Sequence, residues 1–163
     1  MGPSNEHAEL PNPPYGVFAN EHGAFQLQLN WLRPDDTNRL RVERFVIRYR
    51  EAHLAEGQEG YYVSDGRFTD FEVGMQPDPG RPLDPVTSCS FIGHCTYIIK
   101  QLKADTMYQF AIASKTALAV SRDSALYQAR TLMFGSLLVT RYLLLDIVTP
   151  FIARSIHIRF LRD

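Results

Sequence analysis

Motifs of catalysis are missing from this 163-residue chain. It contains no Gly-x-Ser-x-Gly elbow, no glycine-rich phosphate loop and no His-Glu-x-x-His pattern, so the backbone cradles and ligand spacings of the common hydrolases and metalloenzymes are not there. The five histidines, His7, His22, His53, His94 and His157, never fall four apart and read as isolated surface residues. Asp65, Asp70, Glu72, Asp78 and Asp84 carry the oxygen donors that calcium takes, at a spacing that matches no calcium loop. No cofactor is expected. Charge is nearly balanced, with 17 Lys and Arg against 18 Asp and Glu and a formal net charge of -1. No overall field therefore draws the chain to nucleic acid or to an anionic membrane.

Cysteine is scarce as well. Cys89 and Cys95 are the whole complement, too few for a disulfide framework and enough for one small clip. A disulfide and a pair of free thiols are both open. A metal site would need His94 and a further ligand, and no second pair stands at ligand spacing. Asn-x-Ser/Thr is absent, and the N-terminus MGPSNEHAELPNPP has no apolar h-region, so it is not a signal peptide. Residues 134–153 are strongly apolar but are interrupted by Arg141, Asp146 and Pro150. A charge near the middle of a span costs roughly 2.5–3.5 kcal/mol, which argues against a lone transmembrane helix.

What the chain does have is alternation. Phe25, Leu27, Leu29 and Trp31 share one side of a seven-residue run whose other side is Gln26, Gln28 and Asn30; period two is a half-buried strand and fits no helix. Arg44–Arg50 repeats the pattern, with Phe45, Ile47 and Tyr49 inward and Val46, Arg48 and Arg50 outward. Short strands are expected at Val17–Ala19, Tyr61–Val63, Thr96–Leu102, Tyr108–Ser114 and Ser124–Thr131, the last with Leu126 and Tyr127 as its packing residues. Asn20–Gly23 and Glu51–Gly60 read as turn and loop by composition. From Ser64 to Ser90 the chain is irregular: Phe68, Phe71 and Val73 suit one edge strand, and four prolines then exclude a regular element. The domain plan is a flexible lead over 1–10, a domain over 11–132 with a long insertion at 64–90, and an apolar extension over 133–163. The class is all-β, an immunoglobulin-like Greek-key β-sandwich of about seven strands.

At Leu102–Ile112, LKADTMYQFAI, a Leu precedes a Tyr by six residues and a Thr precedes it by two. A Tyr at the mouth of a strand can bury its ring and bond backbone upstream through its hydroxyl, the tyrosine corner of antiparallel sandwiches. With Pro13-Pro14 at the start, Trp31 closing an early strand, FVIRYR over Phe45–Arg50 and Ala129-Arg-Thr-Leu132 at the exit, residues 11–132 resemble a fibronectin type III domain. Trp31, Leu102 and Tyr108 are the structural anchors of that resemblance. Ala104 and Asp105 depart from it, standing where the family often has Pro and Gly, and the insertion is longer than usual. The family implies an adhesion, receptor or scaffold module that binds proteins or glycans and shares no catalytic site. The Arg-Gly-Asp tripeptide and the Trp-Ser-x-Trp-Ser box are absent.

Five arginines, Arg39, Arg41, Arg44, Arg48 and Arg50, fall in a short stretch. Arg48 and Arg50 share the outward face of one strand, so their planar forks project together and suit sulfate, phosphate or carboxylate. Against that stands an ordinary solvated face balanced by Asp35, Asp36, Glu43 and Glu51. The expectation is a noncatalytic module of a cell-surface or secreted multidomain protein, with a protein partner and a sulfated glycan as ligands. Nucleic acid is not expected, and membrane association would come only through the tail or the parent protein. The alternatives are an intracellular, cytoplasmic scaffold, or an accessory domain of a receptor kinase, phosphatase or carbohydrate-processing enzyme.

Overall fold

The computed structural model describes residues 10–35 and 41–134. Within them lie nine strands: β1 (Tyr15–Gly23), β2 (Gln26–Leu32), β3 (Arg44–Leu54), β4 (Tyr62–Val63), β5 (Thr69–Gly74), β6 (Ser88–Cys89), β7 (His94–Ile99), β8 (Met107–Lys115) and β9 (Tyr127–Arg130). The chain is all-β. One sheet runs β1-β2-β7-β6; the other runs β4-β3-β8-β9, with β5 also paired to β3. The chain changes sheets after β2, returns after β5 and changes again after β7, which is the Greek-key route of a sandwich. The lead over 1–9, Arg39 and the tail from 135 onward lie outside the described residues. No helix among the described residues is long and apolar enough to cross a membrane.

The alternation of β2 explains the core. Leu27, Leu29 and Trp31 are all but fully buried and meet Phe45, Ile47, Phe110 and Ile112 from the facing sheet. Trp31 stands edge-on to Phe45 with ring centroids 5.2 Å apart. Each such side chain contributes about 1.5–3 kcal/mol by leaving water. In β8 every residue from Tyr108 to Ser114 is buried, because it is a central strand covered on both faces. Its outward positions Ala111 and Ala113 are small and lie opposite Arg48 and Val46 of β3. Val46, read as outward, is on that outer face yet is buried, since a valine flanked by the long stems of Arg44 and Arg48 keeps little contact with water.

Several boundaries move. Asn20–Gly23 is not a turn: β1 continues to Gly23, which pairs with Gln26, and the hairpin turns at Ala24 and Phe25. Phe25 therefore leaves the face it would share with Leu27. It is half-exposed and meets the ring of Phe134, 5.6 Å away. Glu51–Leu54 extends β3 rather than beginning a loop, because its backbone is paired with Met107 and Tyr108 on one side and with Tyr62 and Val63 on the other. Its polarity marks an exposed arm, not a break. β7 ends at Ile99, two residues before Gln101 takes a left-handed φ of 61°. Of the two residues expected to pack in the last strand, Leu126 is half-exposed and Tyr127 covers Phe110, ring centroids 5.4 Å apart.

The insertion is tied down at both ends. Phe71 and Val73 lie in the edge strand β5, whereas Phe68 precedes it. The amide of Gly74 donates to the Pro85 carbonyl at 2.9 Å, and that of Thr87 donates back to the Gly74 carbonyl at 2.9 Å. Turns at Asp78–Arg81 and Arg81–Asp84 satisfy backbone groups between them. The segment is the crossover that carries the chain from one sheet to the other.

Candidate binding surface

The outward row of β3 is assembled by period two, so Arg44, Arg48 and Arg50 emerge on one face. Each then finds a partner inside the domain. Arg44 lies 3.1 Å from Glu72 on β5 and 2.6 Å from Asp84 in the crossover, pinning the insertion to the sheet. Lys115 shares Glu72, and Arg48 pairs with Asp123. Arg50 donates to the Gln109 side chain at 3.0 Å and to the Gly66 carbonyl at 3.1 Å, and its guanidinium stacks over Phe68 at 4.3 Å. Ion pairs of this kind contribute about 0–1 kcal/mol each; their consequence is that the charges of Arg44 and Arg48 are locally matched, whereas Arg50 is held by neutral groups and keeps its charge. Arg41 is exposed with no partner among the described residues.

A different surface forms at the end of the sandwich where β3 begins. Cys89 and Cys95 are directly opposed in β6 and β7 and are joined by a disulfide, their Cα atoms 4.0 Å apart. The next pair outward, Ser90 and His94, exchanges hydrogen bonds: the Ser90 amide donates to the His94 carbonyl at 2.7 Å, and the His94 amide donates to Ser90 Oγ at 3.1 Å. The cysteines thus occupy a non-hydrogen-bonded pair, the position where opposed side chains come closest. Gly93 closes the turn with φ of 85°, a conformation glycine takes freely. Its carbonyl accepts from the Arg33 amide at 2.8 Å. Cys95 is fully buried beside Trp31, so the bridge ties the hairpin to the core. At its tip Phe91 is 103% and Ile92 83% exposed. Sequence reasoning missed this tip. The signal was present: two adjacent apolar residues between Ser90 and Gly93, bracketed symmetrically by the cysteines.

The opposite end is held by the corner. Tyr108 is buried, and its hydroxyl accepts from the Lys103 amide at 2.9 Å. Burial pushes the Tyr108 phenol above its ordinary pKa, and burial does the same to Tyr97. Lys103 is raised chiefly by its hydrogen bond to the Glu51 carboxylate. Asp105 takes a left-handed φ of 49°, which a short polar side chain tolerates. Thr131, which the sequence placed only at the exit of the last strand, completes the corner. Its hydroxyl donates to the Lys103 carbonyl at 2.6 Å and accepts from the Thr106 amide at 3.0 Å. Among the described residues no group of three or more His, Cys, Asp or Glu could hold a metal ion.

A sandwich with β1, β2, β7 and β6 in one sheet and β5, β3, β8 and β9 in the other, locked by a tyrosine hydroxyl on the backbone before β8, has counterparts among solved structures. Titin kinase with its flanking domains matches 76% of this chain over 18% of its own length, at 17% identity and a TM-score of 0.50. The fold is that of a fibronectin type III domain. The FN5 domain of Drosophila Lar matches 76% of this chain and 98% of its own, at 17% identity and TM-score 0.46. The fn3 domain of human collagen alpha-1(XX) matches 79% and 92%, at 16% and 0.49. No protein-family model and no curated sequence matches the chain. Fibronectin type III domains are typically noncatalytic modules, often found in adhesion or receptor proteins.

Proposed function

We propose that this fibronectin type III domain is a noncatalytic interaction module of a cell-surface or secreted multidomain protein, and that it docks a protein partner through the β6–β7 hairpin. The observation that carries the reading is the tip itself: Phe91 and Ile92 stand fully in solvent on a turn held by a disulfide, by the Ser90–His94 pair and by Arg33. Apolar side chains in water are unfavourable there and become favourable when a partner covers them. A turn ordered in advance loses little entropy on binding. The disulfide supports an oxidising compartment, and the fold supports a scaffold whose loops do the binding.

The test is binding of the purified domain to an array of extracellular receptor domains, read by surface plasmon resonance. Phe91→Ser with Ile92→Ser should weaken the specific interaction by about 30-fold or more, the size of one interface anchor, without changing the melting temperature. A partner that binds wild type and this variant equally refutes docking through the tip. Thiol titration of protein taken from its native source addresses the compartment: two titratable thiols favour the cytoplasmic setting instead.

A further inference from the structure

The end of the domain remote from Phe91 carries a second concavity, a cleft of about 560 Å³ between the last residues of β3, the Ser64–Arg67 segment and the loop after β7. That volume lies within the range of small-ligand sites. We propose that the cleft binds a short sulfated saccharide. Three cations reach it from three separate parts of the fold: Arg50 from β3, Arg67 from the loop between β4 and β5, and Lys103 from the loop before β8. Two carboxylates, Glu51 and Asp65, also line it, and Glu51 is engaged with Lys103 at 2.9 Å. The balance is positive.

Arg50 is ordered for the role. Its Nε and Nη1 are committed to Gln109 and to the Gly66 carbonyl, and its plane rests on Phe68, so Nη2 is held in place with no partner among the described residues. A planar, fixed fork suits a sulfate oxygen. Arg67 is exposed and can close on the same group. Tyr49, half-buried, and the edge of buried Leu102 also line the cleft, and an aromatic ring suits the C–H face of a sugar. Ser64 and Gln101 at the rim offer a hydroxyl and an amide to sugar hydroxyls. Gln101 is one of two non-glycine residues with positive φ among those described, and such backbone is concentrated at ligand clamps. No glycine-rich loop or helix terminus is present among the described residues to wrap a multiply charged phosphate, which favours sulfate groups spread along a saccharide.

The inference rests on the reading of the domain as a binding module but not on the hairpin tip. The experiment is titration of the whole chain with a heparin-derived tetrasaccharide, followed by calorimetry and amide chemical shifts. Wild type should bind, with shifts concentrated at Gly66, Arg67, Gln101 and Lys103. Arg67→Ala and Lys103→Ala, both at exposed side chains, should each weaken binding about tenfold, and the desulfated tetrasaccharide should bind at least tenfold more weakly. Phe91→Ser/Ile92→Ser should leave saccharide binding unchanged, which separates this site from the protein-docking one. Absence of binding, unchanged affinity in both cation variants, or shifts centred on Arg41 would overturn the assignment. So would inorganic sulfate or polyglutamate competing at the same concentration as the saccharide, since either would mark a simple anion site.

Discussion

Thr131→Val is the sharpest test of how the corner is held. The substitution keeps the shape and removes the hydroxyl. Thr131 is 2% exposed, and its oxygen satisfies two backbone groups, the Lys103 carbonyl at 2.6 Å and the Thr106 amide at 3.0 Å. A hydrogen bond exchanged for water is worth about 1 kcal/mol, whereas a buried group left unpaired costs about 1–3 kcal/mol. Water has little access beside Thr131, so the second figure governs, and two groups are stranded. The expected loss is about 2–6 kcal/mol, a large share of a marginal domain's roughly 5–15 kcal/mol. Tyr108→Phe removes the bond from the Lys103 amide at 2.9 Å and should lose about 1 kcal/mol, or up to about 3 if that amide stays dry. Both side chains bind the backbone of Lys103, Tyr108 at its amide and Thr131 at its carbonyl, so the double variant should be non-additive by about 0.5 kcal/mol or more. Urea unfolding followed by fluorescence reads this directly. Trp31 is the single Trp and is fully buried against Phe45. A Thr131→Val loss below about 0.5 kcal/mol, within ordinary surface scatter, or strict additivity with Tyr108→Phe, would refute the corner as a coupled unit.

Removing the bridge with Cys89→Ser and Cys95→Ser should lower stability by about 2 kcal/mol, the chain-entropy value for so short a loop; equal urea midpoints with and without reductant would count against it. Gly93→Ala should cost about 1–2 kcal/mol, read as a lowered melting temperature. Its φ of 85° is unfavourable for any L side chain, while the added methyl would meet Arg33 only at an ordinary 3.7 Å. At high pH, Tyr97 and Tyr108 should deprotonate later in the folded chain than in the unfolded one, because burial raises both above 10.0. The unfolded state then releases protons first, so their contribution is intact below pH 10 and is lost as pH rises through the raised values. Phenolate absorbance should show two late-titrating tyrosines, and Tyr108→Phe should flatten the alkaline decline in stability; an unchanged decline would rule Tyr108 out as its source.

The sandwich was legible where burial imposes a period. Leu27, Leu29 and Trp31, or Phe45, Ile47 and Tyr49, stand out because water is on only one side of their strands. The reading slipped where that contrast fails. Glu51–Leu54 is strand although all of it but Ala52 is exposed, since its pairing with Met107–Tyr108 and with Tyr62–Val63 is a backbone matter to which side-chain polarity is indifferent. Phe25 is apolar yet sits in a turn, because the pairing of Gly23 with Gln26 places it there. The binding surfaces were the least legible. An arginine row is visible in the chain, but its partners Asp84 and Asp123 come from 40 and 75 residues away, and local reading cannot supply them. Thr131 illustrates the same limit: a lone threonine after a strand carries no local mark of the Lys103 and Thr106 groups it serves.

Local sequence by itself therefore determined the strands of the core and the motif around Tyr108, because side-chain period and short-range spacing are properties of adjacent residues. Tertiary structure alone decided which charges are matched, that Phe91 and Ile92 are lifted into solvent on a hairpin anchored at Cys95, and that Arg50, Arg67 and Lys103 converge on one cleft. Those outcomes depend on how two sheets are joined and stacked. A side chain's environment is set by whatever the fold brings against it, and most of that comes from far along the chain.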